Sequence, residues 1–575
     1  MYLEKISIEN FCSCNNLTVP LSDFTPIIGY NNAGKSNILR AILWLLRKSV
    51  LPSLKFTDAN MPVIISGVIA NPAIAMLPQI QQNQIARFIH NNSLQFRRIQ
   101  ETPNVRAADI KLEVLDPSNG NWVANPTGID NALSVLFPEP IFIEAMDNAA
   151  DDVSQFAAKN TIGLLLKNTM EQIRANNPQA LAALTNALSA AANHLTGPRR
   201  IAEFGLFEAA ATTSLNDFFP GLSVHLSMQS PTLEDVVKTA SIALSDEHGV
   251  KLGFNSYGHG TQRTVQMALI NLLANQLRSA AQGGSNTMLL IDEPELYLHP
   301  HAIELLRESL QKISQNQFQI VLTTHSPLIV GDRILDTAIA TKDQQGHTNI
   351  RQKLASAAAA LQNHPHHAAV IFSLQNSSFL LFSENVVIVE GKTEKMLVPE
   401  MYQVIRGSNL AKSKTCLIEV CGSSSIAPTK EILKTVGFNS KAIVDLDYLF
   451  RQAPNFISNL RNDLDFIACK NWFSANGPAL GMSLAQDGFP QKNPSFTAAS
   501  AFEAMAVAMQ QELGRLAAQL IPQGFWVWTS GAIEAHLGIA KTDSARLSFI
   551  SQMKLNQNLN HAADVQGLTN SMNWL

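Results

Sequence analysis

Three clusters of residues in this chain have the types and the spacing to do chemistry. Gly29-Tyr-Asn-Asn-Ala-Gly34-Lys35-Ser36 fits the pattern G-x-x-x-x-G-K-S/T throughout. Glycines in that pattern let backbone N–H groups curl round phosphate oxygens, the lysine reaches the β- and γ-phosphates, and the hydroxyl ligates magnesium. Gly29, Asn31, Asn32, Gly34, Lys35, Ser36 and Asn37 are therefore the expected phosphate-facing positions, and the N-terminus of the next helix adds a favourable dipole. The second cluster follows the apolar run 288–291. There Asp292 is placed to hold the Mg²⁺ shell with Ser36, and Glu293 to orient or deprotonate an attacking water. The loop Asn255-Ser-Tyr-Gly-His-Gly-Thr-Gln-Arg263 opens a predicted helix, so Ser256, Gly258 and Gly260 can offer another helix N-terminus to a phosphate. His325 follows the predicted strand 319–324, where a polar tip would sense a γ-phosphate.

The third cluster is acidic. Glu390 ends the apolar run 386–389, Glu394 follows on the first helical turn, and Asp445 and Asp447 end a second predicted strand, 441–444, apolar from Ala442 to Val444. Parallel strands bring their carboxyl ends into one crevice. Three or four carboxylates meeting there repel one another unless a hard divalent cation, Mg²⁺ or Mn²⁺, neutralises them. Such ions activate water and stabilise the leaving oxygen of a phosphodiester. Glu534, after the aromatic run 525–528, repeats this placement and is the fifth candidate ligand. Ser530 and Lys541 are weaker candidates; Lys541 could stabilise a pentacovalent phosphate, although an exposed lysine is the plainer reading. Trp526 and Trp528 read as core more than as a base-stacking platform.

The elements that must position these residues alternate. Short strands are expected over 1–30, a helix over 37–48, strands near 221–228 and 251–258, a helix over 261–281, and then strand 288–291, helix 302–313 and strand 319–324. That order is α/β with a mostly parallel sheet. An Ala/Leu/Asn-rich stretch with a period near 3.6, within 151–215, reads as a helical insertion. The segment 351–380, with His364-Pro-His-His367, reads as a linker to a second, smaller α/β unit. The expected division is 1–150 and 216–350 for one nucleotide-binding domain, 151–215 for its insertion, and 381–575 for the acidic domain.

Composition limits the class. Hydrophobic residues make up 46% of the 575, enough for packed cores and against wholesale disorder. Lys plus Arg is 42 and Asp plus Glu 46, a net charge of −4, which argues against coating nucleic acid by bulk positive charge. Arg97-Arg98, Arg199-Arg200 and Lys392/Lys395 are the local basic groups that could still touch phosphates. The five cysteines include Cys12-x-Cys14 and Cys416-x4-Cys421, neither with the gaps usual in zinc sites. With no secretory leader and no apolar run of about 18–20 residues, the expectation is a soluble, cytoplasmic protein without a membrane partner.

The order of the first two clusters resembles the ATP-binding-cassette ATPases, in the branch that includes the SMC proteins. The resemblance implies that two heads sandwich ATP and that Ser256, Gly258 and Gly260 act on the partner's nucleotide. The loop departs from the usual L-S-G-G-Q. The acidic motifs resemble the Toprim domain of topoisomerases, primases and certain nucleases. An ABC-type ATPase head with a helical dimerisation insertion, followed by a Toprim α/β domain, is similar to the OLD (overcoming lysogenisation defect) nucleases. These include the Gabija nuclease subunit and retron-associated effectors. What this implies is nucleotide-regulated, metal-dependent DNA cleavage or nicking by a homodimer or higher homo-oligomer, in antiphage defence. A system-specific partner is implied too, such as a helicase-like subunit or a retron reverse transcriptase with its DNA. The competing expectation is an ATP-gated scaffold or clamp whose Toprim-like domain is not catalytic. Topoisomerase or primase chemistry is set aside, because no separate tyrosine-nucleophile domain is recognisable.

Overall fold

The computed structural model describes residues 1–144 except 138–139, residues 165, 169 and 176–195, 199–226 except 220, 243–280 except 246–248, 287–351 except 316–317 and 332, and 380–575 except 421, 436 and 492–496. All but the two ends of the expected linker, and most of 151–175, therefore lie outside the described residues. Contacts divide the chain into two compact units. One comprises Met1–Cys12, Leu21–Thr25 and Ser36–Thr324; the other comprises Ser13–Pro20, Pro26–Lys35 and His325–Leu575.

In the first unit, strands Tyr2–Phe11, Val63–Ala70, Ser93–Gln100, Lys111–Asp116 and Asn121–Ala124 pair in that order, all antiparallel. Their alternating burial, with Leu3, Ile6 and Ile8 inside, is the mark of a sheet with one covered face. Strands Ile141–Ile143, Thr287–Asp292 and Phe318–Thr324 are instead parallel. The last two are buried along their whole length, so apolar residues occupy both faces and Asp292 comes at the strand end. Helix Pro300–Ser314 begins with proline at its first position, where no N–H is needed, and buries Ile303, Leu306, Leu310 and Ile313 along one stripe.

Where the insertion is expected, helices Pro178–Leu195 and Ala202–Asn216 form, neither of which has a buried residue. Contrary to the strand expected near 221–228, the described part, 221–226, is not a strand. Side chains of helix Ala202–Asn216 take its backbone donors instead: Val224 N–H donates to Thr212 Oγ1 (2.9 Å) and Leu226 N–H to Glu208 Oε1 (2.6 Å).

In the second unit, Ala338–Lys342 pairs in parallel with Ile27–Gly29 and antiparallel with Thr348–Arg351. A separate sheet has four parallel strands in the order Thr415–Glu419, Asn385–Val389, Asn439–Val444, Phe525–Val527. Side chains alternate across it. Val386 and Ile388 join one core with Ile28, Val330 and Ile339, while Val387 and Val389 join another with Leu397, Met401, Trp528 and Met572. Both faces are covered, as a parallel sheet requires, and the carboxyl-edge loops are left to carry chemistry. Among the described residues, no helix is long and apolar enough to cross a membrane.

Candidate functional site

The phosphate-loop sequence folds as its residue types require. Gly29 has φ 149° and abuts the Ala340 carbonyl, where a Cβ could not fit; Gly34 has φ 93° and abuts Thr348 and Ser13. Thr348 Oγ1 donates to Ala33 O (2.9 Å) and braces the loop. The Lys35 amine donates to the carbonyls of Gly29 (3.2 Å) and Tyr30 (3.1 Å) and lies 2.8 Å from His325 Nε2. The loop thus brings its lysine and the histidine together. Asn31 and Asn32 are exposed, and Asn37 is partly buried.

Ser36, the next residue, donates from Oγ to Asp292 Oδ1 at 3.0 Å, so the two expected magnesium ligands are neighbours. Thr323 Oγ1 donates to the same oxygen. Glu293 stands in the left-handed region, φ 48°, with its N–H held by Thr323 O at 3.1 Å. Such a conformation costs a non-glycine residue roughly 1–3 kcal/mol and persists only where the surroundings enforce it. Arg263 was not singled out from the sequence. Its Nη2 reaches the carbonyls of Asp292 (3.5 Å) and Glu293 (3.4 Å), tying helix His259–Ala280 to the acidic strand end. Ser256 and Gly258 are exposed at the entry to that helix, and Gly260 lies against the Tyr297 carbonyl.

The acids of the second unit gather at the carboxyl edge of its parallel sheet. Glu390 follows strand Asn385–Val389 and accepts from Asp445 N–H at 3.3 Å. Glu394 is buried on the first turn of helix Lys392–Arg406. Asp445 and Asp447 follow strand Asn439–Val444, and Glu534 is buried on helix Ile533–Leu537. Burial, then the charges of Asp447 and Glu394, push the Glu390 carboxyl up to about 8. Burial, then Glu534, pushes Glu394 up to about 7. Asp445 is raised well above the carboxylate range by burial and by Glu390, Glu394 and Asp447, and Asp447 is raised by burial against the pull of Arg451. The exposed Lys541 favours the ionised form of all four and stands 4.0 Å from Glu534 Oε2.

These carboxyls fit a hard divalent cation by the chemistry of the donor set. They are desolvated oxygen ligands that repel one another, and the buried Asp445 Oδ1 has no hydrogen-bond partner. They are close enough to interact but are not drawn into a closed shell: among the described residues, no three His, Cys, Asp or Glu are arranged to enclose an ion.

Sequence reasoning missed Thr393, Arg546 and His536, all buried beside Glu534. His536 Nε2 accepts from Ser530 N–H (3.0 Å) and Nδ1 lies 2.6 Å from Asp564 Oδ2, so Ser530 acts here through its backbone. The only local sign of Arg546 is its i, i+3 pairing with Asp543 after the helix-capping Thr542. Trp528 is fully buried and Trp526 packs with Trp574, as core residues do. Three of the four arginines in the two basic pairs are engaged within the fold. Arg97 pairs with Glu113 (2.6 Å), and Arg98 is buried and bonded to Asp130 (2.5 Å) and the Leu45 carbonyl (2.7 Å). Arg200 pairs with Glu208 at 2.8 Å, whereas Arg199 is exposed. Lys392 and Lys395 stay about half exposed while pairing with Asp543 and Glu419.

Residues 24–331 match the family described as "AAA domain, putative AbiEii toxin, Type IV TA system", and residues 381–447 match "Overcoming lysogenization defect protein-like, TOPRIM domain". The chain is 33% identical over 560 residues to the Old nuclease of Escherichia phage P2, covering 94% of this chain and 93% of that protein. This chain belongs to the Old nuclease family. Its fold is accordingly a mixed α/β AAA-type ATPase with a C-terminal Toprim domain. Solved SMC heads also align. One, bound to a winged-helix domain of ScpA, has 16% identity and TM-score 0.35 over 62% of this chain and all of that one. Another, from Thermotoga maritima, has 15% identity and TM-score 0.30 over 61% and 98%. The AAA match spans Gly29–Ser36, Asp292, Glu293 and His325, and the Toprim match spans Glu390, Glu394, Asp445 and Asp447. Glu534, Lys541 and Arg546 lie beyond it, and only their geometry relates them to these acids.

Proposed function

We propose that this Old-family protein is a divalent-metal-dependent DNA endonuclease or nickase whose cutting is controlled by ATP, and that it serves in antiphage defence. The observation that carries the nuclease reading is the set of mutually repelling carboxyls at one sheet edge, Glu390, Glu394, Asp445 and Asp447, with Glu534 and Lys541 beside them. These five acids would hold Mg²⁺ or Mn²⁺, which when bound polarises a phosphodiester and lowers the pKa of a water nucleophile. Asp445 offers its unpartnered Oδ1, and Glu390 is held near Asp445 by the backbone N–H it accepts. Lys541, exposed at the mouth, brings a positive charge to a phosphate oxygen, and Lys392 and Lys395 add charge on the neighbouring helix.

Control by nucleotide is supported by Tyr30, inside the phosphate loop. The Lys414 amine lies 4.2 Å from its ring centroid, and Lys414 pairs with Glu384 at 2.6 Å, just before the strand that ends at Glu390. Arg351 also donates to the carbonyls of Ser383 and Glu384 (3.4 Å each). A change in the loop on binding ATP through Gly29, Gly34, Lys35 and Ser36 thus has a short route to the acidic strand. Glu293 would position the water for hydrolysis, His325 would sense the γ-phosphate, and Ser256, Gly258 and Gly260 would act on a partner's nucleotide. Assembly as a homo-oligomer is supported by the exposed Leu206, Phe207, Phe218 and Phe219 in and after helix Ala202–Asn216.

The test is supercoiled plasmid incubated with Mg²⁺ or Mn²⁺, with and without ATP. Wild type should cut and Glu390→Ala should not; equal cutting by both removes the assignment. Protection from phage by wild type, lost in Glu390→Ala, would support the defence role; no protection by wild type would remove it, and undiminished protection by the variant would detach it from cutting.

A further inference from the structure

Arg546 is a nearly buried cation, 7% exposed, placed among the acids at the carboxyl edge of the sheet. A guanidinium stays charged under all ordinary conditions, so its burial must be matched by partners in every direction it donates. Its Nε donates to Thr393 Oγ1 at 2.8 Å, its Nη1 to Asp543 Oδ1 at 2.7 Å, and its Nη2 stands 3.5 Å from Glu534 Oε1. Thr393, 2% exposed, donates a hydrogen bond from its own hydroxyl to Glu534 Oε1 at 2.5 Å. The same Glu534 oxygen therefore faces two donors, while Oε2 faces Lys541 at 4.0 Å. Thr393 is also the residue before Glu394, on the first turn of helix Lys392–Arg406. Its hydroxyl and the guanidinium thus tie together two elements that each carry an acid of the site.

We infer that Thr393 and Arg546 are positioning residues: they occupy Oε1 of Glu534 so that Oε2 alone is offered to a bound divalent cation, and they set the spacing between Glu534 and Glu394. A threonine hydroxyl suits this role because one oxygen can accept from the guanidinium and donate to the carboxylate at once. Lysine in place of Arg546 has no planar fork and could not serve three directions from one buried position. This inference rests on the metal-dependent reading of the acidic site, and it concerns how that site holds its ion.

The test compares Thr393→Val, which keeps the shape and removes the hydroxyl, with Thr393→Ser, which restores it. Free Mn²⁺ is titrated against the full-length protein and counted by its electron paramagnetic resonance signal; cutting of plasmid is measured over the same metal range. Partners that orient a metal ligand are commonly worth about 10–100-fold in affinity or activity. Thr393→Val should weaken Mn²⁺ binding by at least tenfold and shift the metal dependence of cutting by a similar factor, with the KM for DNA unchanged. Thr393→Ser should bind within about threefold of wild type. Arg546→Lys carries the same test if Thr393→Val melts early. Wild-type Mn²⁺ affinity in a folded Thr393→Val or Arg546→Lys protein overturns the inference. Mn²⁺ binding by wild type without any cutting removes the nuclease reading but still decides the inference, through the ratio of affinities; no Mn²⁺ binding by wild type overturns both.

Discussion

Raising the pH from 6 to 8 should tighten metal binding at the acidic site by at least about 100-fold. Without a metal, the Glu390 carboxyl is held at about 8 and that of Glu394 at about 7, against an ordinary 4.5. A carboxyl must lose its proton to ligate a hard cation, so binding at low pH carries the cost of deprotonation. From these two values, Glu390 weakens apparent affinity by about 100-fold at pH 6 but about twofold at pH 8, and Glu394 by about tenfold at pH 6 and hardly at all at pH 8. Between one and two protons should therefore leave per ion bound near pH 6.5. The same shifts act on stability. Both groups bind protons more tightly folded than unfolded, so their metal-free contribution is full below about pH 4.5 and is lost as pH rises through 7 to 8. Saturating Mg²⁺ should abolish that loss. Calorimetric titration with Mn²⁺, in buffers of different ionisation enthalpy, reads both affinity and proton release. An affinity flat from pH 6 to 8, with no protons released, would refute the claim that these acids share a desolvated site.

Other perturbations separate the parts. Gly29→Ala would set a Cβ against the Ala340 carbonyl at φ 149°, so binding of a fluorescent ATP analogue should fall at least tenfold; unchanged binding would show that the loop adapts. Tyr30→Ala should keep nucleotide binding within about threefold yet remove most of the effect of ATP on plasmid cutting, and an undiminished ATP effect would exclude Tyr30 as the link. Arg98→Ala removes the buried donor to the Leu45 carbonyl, while Asp130 stays half-exposed and keeps Lys48, so it should destabilise by about 1–3 kcal/mol in denaturant melts while leaving DNA affinity and its salt slope unchanged. A shallower salt slope would return Arg98 to the DNA surface.

What could be read from the sequence depended on how local the signal was. The phosphate loop needs two glycines, a lysine and a hydroxyl within eight residues, and each has a conformational or chemical reason to be there. Glu390 and Asp445 were equally legible, because an apolar run followed by a carboxylate marks a buried strand and its edge. The antiparallel sheet from Val63 to Ala124 was not read at all: its order depends on pairings such as Ile6 with Gly67 and Gly67 with Phe96, which no local pattern specifies. The strand expected near 221–228 failed for the complementary reason, since Thr212 and Glu208 on a preceding helix take the donors that a ladder would use. Arg546 reaches Thr393 across 153 positions, and its role at Glu534 exists only in the folded chain.

The most direct measurement is a nicking assay on supercoiled plasmid, crossing Mg²⁺, Mn²⁺ and ATP, with wild type beside Glu390→Ala and Asp445→Ala. Metal-dependent relaxation or linearisation by wild type, lost by at least about 100-fold in both variants while they remain folded and bind ATP, is the expected result. A wild-type protein that binds ATP and Mn²⁺ but leaves every plasmid intact, or variants that cut as well as wild type, would contradict it.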